Sequence, residues 1–444
     1  MGASILHFAD VHYEEKNHDE IKNCMEYMIG VAEQKRPDVI ICSGDVTNSQ
    51  YLGTDTKSAK TIADQFRRLS NIAPVAVVVG TPSHDGQTPE ILKYVSGKNP
   101  IYVSTKPEQI YLRQFERNRD KIAYEWVKDT YVPSGQIILA VTQIPAPTKE
   151  FWKNRQGIEA DNQNIAQAMG SIFAGFGQAA KQFPRVPHVL NGHFSMKGSK
   201  ISETQTLPGT DIAIDTETLS MAQANICLLG HIHMVQGYDM PSGKKAFHAG
   251  SIFRKDFGEQ GQAKGFYIHD ICDDNEPDRH EFIQTPTREM IQVNYNCVSD
   301  PAILDREFIQ TVVSDILDSG GQEKPGYWAK VKITLWIDDI RRINQSALKQ
   351  AIKEAGADNV ILEIDRVRRE NSRDEGIIKA VSLIDKVRAL ANHRSQPVPE
   401  GVLDLFENLE NLNLADLVKH CQTRLNQDKP AQIVNGIEKE REVE

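Results

Sequence analysis

Five short segments of this chain place aspartate, histidine or both at the end of an apolar run. They are FADVHY (Asp10, His12), CSGDVTN (Asp45), VGTPSHDG (Ser83, His84, Asp85), LNGHFS (His193) and LLGHIHM (His231, His233). Two aspartates and four histidines, with an amide or hydroxyl added, make a mixed oxygen and nitrogen donor set. Such a set suits two divalent ions such as Mn²⁺, Fe²⁺ or Zn²⁺ and argues against calcium. Asp45 is the natural carboxylate to lie between the two. Ions about 3.5–4 Å apart can activate water and clamp both oxygens of an in-line displacement at phosphorus. A nearby histidine can then hydrogen-bond the phosphate or protonate the leaving oxygen.

Read alone, VVVGTPSHDGQTP could be a serine nucleophile beside its base, a tight turn, or one corner of a metal site. G-x-S-x-G is absent, and the other four segments favour the metal site. D-x-H alone is a weak signal and G-H-x-H a moderate one, since a single strand histidine is usually a satisfied core residue. The ordered set, each member closing a strand, is far more specific. Beside it, Asp85 braces the loop or orients His84. Asn48 either bonds across the site or makes a turn. His248 lies near the site. His7, His18 and His188 read as structural or exposed.

The elements that must position these residues are legible as short β-rich runs alternating with helical stretches. SILHFAD, DVIICSGD, PVAVVVG, IILAVTQIP, HVLNGHFS, ICLLGHIH, KAFHAGS and GFYIHDI read as strands. HDEIKNCMEYMIGVAEQK and SAKTIADQFRRLSNI read as helices, and 152–183 as a long helix with a polar beginning. Near-continuous apolar strands between helices predict a layered α/β core buried on both sheet faces. In such sheets the strand carboxyl ends converge where ligands bind. From 286 the strands REMIQVNYN, YWAKVKITLWI and NVILEIDRVRR alternate with the helical stretches AILDREFIQTVVSDILDS and RRINQSALKQAIKEAG, a small α+β domain. Two amphipathic helices follow, and the tail is charged and polar. The expected organisation is a core over 1–285, the α+β domain over 286–373, a helical pair over 374–425 and a disordered tail over 426–444.

The 444 residues carry a net charge of −10. That balance neither supports nor excludes a nucleic-acid substrate, provided ions or a local basic surface meet the phosphates. Lys197, Lys200, Arg254 and Lys255 are candidates for that surface. Arg366, Arg368, Arg369 and Arg373 could touch nucleic acid, a partner, or neither. No apolar run approaches the ~20 residues that span a bilayer, and no signal peptide is expected. Six scattered cysteines without a C-x-x-C read as reduced thiols, so a cytoplasmic protein is expected.

The ordered motifs resemble those of the calcineurin-like metallophosphoesterases. Within them, FADVH, NGHFS, GHIH and HAGSIFRKDFGEQGQAKGF (248–266) resemble the SbcD-type double-strand-break repair nucleases. The resemblance implies an αββα core with a DNA-capping α+β domain and C-terminal helices that dock an SbcC-type coiled-coil ATPase. It implies a homodimer and a 3′ to 5′ exonuclease on double-stranded DNA ends, with endonuclease action possible and Mn²⁺ as the expected ion. Carried over by position, Asp10, His12, Asp45 and His233 would hold one ion, and Asp45, His193 and His231 the other. The family pattern G-N-H-D places an amide ligand before the phosphate-facing histidine. Here the loop reads G-T-P-S-H-D, two residues longer, with Ser83 in the amide's place and His84 as the catalytic histidine. A hydroxyl is shorter than an amide, so Ser83 could ligate weakly, through water, or not at all. Two other readings stand beside this one: a small-molecule or protein phosphoesterase on the same core, and a non-catalytic scaffold for the ATPase.

Overall fold

The computed structural model describes residues 2–117, 121–128, 135–147, 162–205, 211–272, 277–305, 307–321, 326–368, 380–393, 397–398 and 401–410. The chain divides into two units, Met1–Arg366 and Val367–Glu444. In the first unit, a six-stranded sheet runs in the order Arg279–Gln284, Gly265–Ile271, Ala3–Phe8, Val39–Cys42, Val75–Val78, Ile101–Ser104. A seven-stranded sheet runs Gln236–Asp239, Lys245–His248, Ile226–Gly230, His188–His193, Gln136–Ile144, Glu108–Arg117, Lys121–Val127. Ala3–Phe8 and the next three strands of its sheet are parallel. So are the four strands from Lys245–His248 to Gln136–Ile144.

Strand alternation explains the layers. Ile5, Val39, Ile41 and Ala76 pack with Val141, Val189 and Leu228 of the other sheet. Their neighbours Leu6, Phe8, Ile40 and Val77 join Met25, Met28 and Phe66 of the helices His18–Lys35 and Lys57–Ile72. On the far side, Leu190, Cys227 and Leu229 pack with Met169 and Phe173 of the helix Asn162–Ala180. The result is helix, sheet, sheet, helix: the αββα core expected. Both faces of the central strands are apolar because both are covered.

Five strands of the six- and seven-stranded sheets were not anticipated. Four of them, Ile101–Ser104, Lys121–Val127, Gln236–Asp239 and Arg279–Gln284, are the outer strands of the two sheets, and Glu108–Arg117 lies next to one. Outer strands are short or carry charge, which discourages edge-to-edge pairing and erases the apolar signal. The expected helix over 152–183 is observed over Asn162–Ala180, and its first ten residues lie outside the described ones.

The small sheet pairs Met290–Asn296, Trp328–Trp336 and Asn359–Val367 in chain order. Ala329, Val331, Ile333 and Leu335 point into a core with Phe308, Val312, Leu348 and Ile352. Lys330 and Lys332 face outward and pair with Glu363. Its helices are shorter than read. Phe308–Ile316 follows a separate 3₁₀ turn, and Gln345–Glu354 starts where the Asn344 side chain accepts the Ala347 N–H. In the second unit, helices Leu383–His393 and Val402–Glu410 are described. The ends of the expected 374–425 pair, the 426–444 tail, Arg369 and Arg373 lie outside the described residues. Among the described residues no helix is long and apolar enough to cross a membrane.

His188 is buried, with its Nε2 2.8 Å from Thr142 Oγ1. Burial lowers its pKa from 6.5 to about 4. As pH falls below 6.5 the unfolded chain takes up this proton first, so the stability is present above that value and is lost on the way down to about 4. Replacing His188 with Gln should flatten the fall in unfolding free energy across that window. The contribution is on the order of 3 kcal/mol for a fully realised shift. Denaturant titrations at a series of pH values read this directly, and an unchanged slope would count against it.

Candidate metal centre

The backbone turns left-handed where the site begins. Asp10, His12, Asp45 and His231 have φ of 51°, 50°, 51° and 88°. Few side chains adopt this region, though Asp and His are enriched there. The first two turns are bonded side by side, Asp10 N–H to Gly44 O at 3.0 Å and His12 N–H to Asp45 O at 2.9 Å. The His231 N–H donates to both Asp10 oxygens, at 2.9 and 3.1 Å. Gln205 pins the same turn from its other side, donating to the His231 carbonyl and accepting the His233 N–H. Gly80 lets the third loop close on Asp45, since a Cβ there would stand 2.2 Å from the Asp45 nitrogen.

Three donor groups result: Asp10, His12, His233; His12, Asp45, His84; and Asp45, His193, His231. Within each group the donor atoms lie within 4.8 Å of one another. Asp45 joins the last two. Its Oδ2 is 3.7 Å from His12 Nε2 and its Oδ1 is 3.4 Å from His193 Nε2. Burial alone would push its carboxyl up, but the imidazoles of His193, His12 and His84 outweigh burial and hold it well below the usual range. Burial likewise opposes charge on His193, yet Asp45 raises that imidazole to about 9.

The donor chemistry fits divalent ions. The Nε2 atoms of His12 and His233 face each other at 2.9 Å. The Nδ1 atoms of His12 and His84 are buried with no hydrogen-bond partner. Other imidazoles are oriented from behind, as metal-binding imidazoles are. His193 Nδ1–H donates to the Ser43 carbonyl at 2.7 Å, and His233 Nδ1 meets Glu259 Oε1 at 2.8 Å. Glu259 is held at about 2: burial opposes this, but His233 and the buried Lys264, 3.1 Å away, prevail.

His84 is half-buried on a cavity of about 310 Å³, with its ring 4.8 Å from that of His12. Burial lowers its pKa, against the pull of the Asp45 carboxylate. Asp85, read as a loop brace or as the residue that orients His84, holds the loop from within. It is fully buried and accepts the Thr47 N–H at 2.9 Å and the Gly80 N–H at 2.7 Å. Burial, then Asp45, raises it to about 7.

Ser83 is exposed on the cavity rim. Thr81, passed over in the sequence, stands inside: its Oγ1 is 3.2 Å from His193 Nε2 and 3.3 Å from Asp45 Oδ2. Residue spacing before the histidine pointed to Ser83, whereas the turn of the longer loop brings Thr81 inward.

The four expected phosphate contacts separate. Lys255 lines the cavity and its Nζ donates to Asn48 Oδ1 at 2.9 Å. Arg254 is turned away, its guanidinium donating to the Gln262 and Arg288 carbonyls and to Glu289. Lys197 is exposed and pairs with Asp215, and Lys200 is exposed. His248 is buried behind the site, between Tyr238 and the Phe194 carbonyl. His7 meets Ser43, and His18 meets Ser58.

The family model described as calcineurin-like phosphoesterase matches residues 3–195. The matched segment includes Asp10, His12, Asp45, His84 and His193, while His231 and His233 follow it. No curated protein matches the chain. Among solved structures, GAP50, the anchor in the inner membrane complex of Plasmodium, is similar at 14% identity. It covers 64% of this chain and 85% of its own, with a TM-score of 0.41. A dimetal phosphatase from Danio rerio is similar at 8% identity, covering 63% of this chain and 98% of its own, with a TM-score of 0.38.

Glu259, Gln205 and Asp211, which meets His231 Nε2 at 3.2 Å, were missed because no short motif links them to the histidines they hold. Replacing Glu259 with Gln keeps the shape and removes the charge behind His233. Divalent-ion affinity should fall by roughly 10- to 100-fold, as for other residues that orient metal-binding imidazoles. Competition with a chelating dye measures it, and unchanged affinity would remove Glu259 from this role.

Proposed function

We propose that the chain is a two-metal phosphodiesterase acting as an SbcD-type nuclease on double-stranded DNA ends. The carrying observation is the shared Asp45 carboxylate between two imidazole groups, with His84 beside them on an open cavity. Bound divalent ions, with Mn²⁺ the expected species, would supply a water-derived nucleophile and neutralise the phosphodiester. The chain's residues do the rest. Asp10, His12, Asp45, His193, His231 and His233 fix the ion positions. His84 sits where it can donate to a phosphate oxygen or to the leaving oxygen. Lys255 offers a cation at the cavity.

The nuclease reading draws further support from the joint to the α+β domain. Glu20 accepts the Arg288 N–H and the Thr287 hydroxyl, and Arg254 spans Gln262, Arg288 and Glu289. A domain fastened this way beside the phosphoesterase suits a long substrate. In the same reading, 3′ to 5′ polarity, a homodimer, an SbcC-type ATPase bound through the C-terminal helices and a cytoplasmic location are proposals. The cavity, about 310 Å³, also suits a small phosphoester, which is the second reading.

End-labelled duplex DNA and bis-p-nitrophenyl phosphate, each incubated with Mn²⁺, separate the two. Duplex cleavage is expected, and His84→Ala should lower its rate by roughly 10²- to 10⁴-fold. Asp45→Ala should abolish it. Hydrolysis of the small ester with DNA left intact would overturn the nuclease reading. Failure on both substrates, with and without an ATPase partner, would favour a scaffold.

A further inference from the structure

The two ion positions are unequal in their donors. The Asp10 and Asp45 carboxylates bracket the His12–His233 side, whereas the other side has only Asp45, His193 and His231. What completes that second side is decided by the loop Gly80–Asp85. Its start is held down by the Thr81 N–H, which donates to Asp45 Oδ1 at 2.6 Å. Its end is held by the Asp85 carboxylate, which grips Gly80 and Thr47. Between these anchors the Thr81 hydroxyl oxygen is 3.3 Å from Asp45 Oδ2, 3.2 Å from His193 Nε2 and 3.5 Å from His231 Nδ1. Donor atoms that sit about 2.0–2.2 Å from one ion lie roughly 3–3.5 Å from one another. One oxygen therefore stands at ligand spacing from both imidazole nitrogens and from one oxygen of the shared carboxylate. Ser83 is on the exposed rim.

We propose that the Thr81 hydroxyl is the protein oxygen donor to the second ion, in the position where related phosphoesterases place an amide, and that Ser83 does not ligate. This rests on the two-metal reading above. The two sites then differ in a definite way. The first ion meets the Asp10 carboxylate as well as the shared Asp45. The second meets that shared carboxylate and otherwise only neutral donors: two imidazoles and a hydroxyl, which is a poorer donor than an amide carbonyl. Fewer charged ligands mean weaker binding, so the ions load in order, the Asp10 side first and the Thr81 side second. Thr81 also contributes its backbone N–H to Asp45, a donor that the valine, serine and asparagine variants keep.

The test is a calorimetric titration of Mn²⁺ into the metal-free full chain, which reads ligation without any substrate. The wild type should take two ions with the second weaker. Thr81→Val, close in shape but without the hydroxyl, should weaken the second by on the order of 10-fold or more and leave the first unchanged. Thr81→Ser should titrate as the wild type, Thr81→Asn should tighten the second ion, and Ser83→Ala should change neither. Equal affinities for Thr81→Val and the wild type would overturn the assignment, as would loss of the second ion in Ser83→Ala. If Thr81→Val fails to fold, as shown by its circular dichroism, the serine, asparagine and Ser83 variants still decide. A wild-type chain that binds no Mn²⁺ would overturn the two-metal reading and this assignment together, whereas two ions unaffected by Thr81→Val would overturn the assignment alone.

Discussion

A buried carboxylate must be answered by charge or by hydrogen bonds, and Asp45 is the one on which this structure turns. It is 2% exposed and lies between two sets of imidazoles. Removing a carboxylate from water without compensation is so costly that the group would ordinarily take up a proton. Here the Thr81 N–H, His193 and His12 keep it ionised. Much else follows from that demand. Two sheets must deliver their strand ends to one edge, Gly80 must leave room, and the histidines must present nitrogen to the same point.

The positions of these side chains are set by backbone rather than by side-chain freedom. Left-handed φ at Asp10, His12, Asp45 and His231 costs energy at each residue. It persists because each turn is tied to another element: Asp10 and His12 to the Gly44–Asp45 carbonyls, His231 to Asp10 and Gln205. Strain held in this way fixes donor positions before any ligand arrives, which lowers the ordering cost of binding.

The donor set was legible in the sequence because each member closes an apolar run, and apolar runs between helices read reliably as central strands. The two-sheet core was legible for the same reason. The outer strands were not, since charge at an edge hides the pattern. Ser83 was read as the amide's substitute because a one-dimensional spacing rule counts residues back from His84. The loop instead turns the Thr81 hydroxyl toward Asp45 and His193 and leaves Ser83 on the rim. Arg254 was read as a phosphate contact because its segment follows the site, yet its guanidinium is satisfied by carbonyls of the domain joint. Asp85 was read as a loop brace or as the residue that orients His84, and its oxygens face backbone N–H groups. Glu259 and Gln205 act across tens of residues of chain, where no local pattern could reveal them.

One loop carries both the Thr81 hydroxyl, beside Asp45 and His193, and the imidazole that faces the cavity. Asp85 fastens its beginning to its end and also to Thr47. Thr81 and His84 therefore sit on one loop that is closed on itself, and the Thr81 N–H ties that loop to the Asp45 carboxylate. The fastening of the loop and the placement of the shared carboxylate are thus parts of one hydrogen-bonded unit.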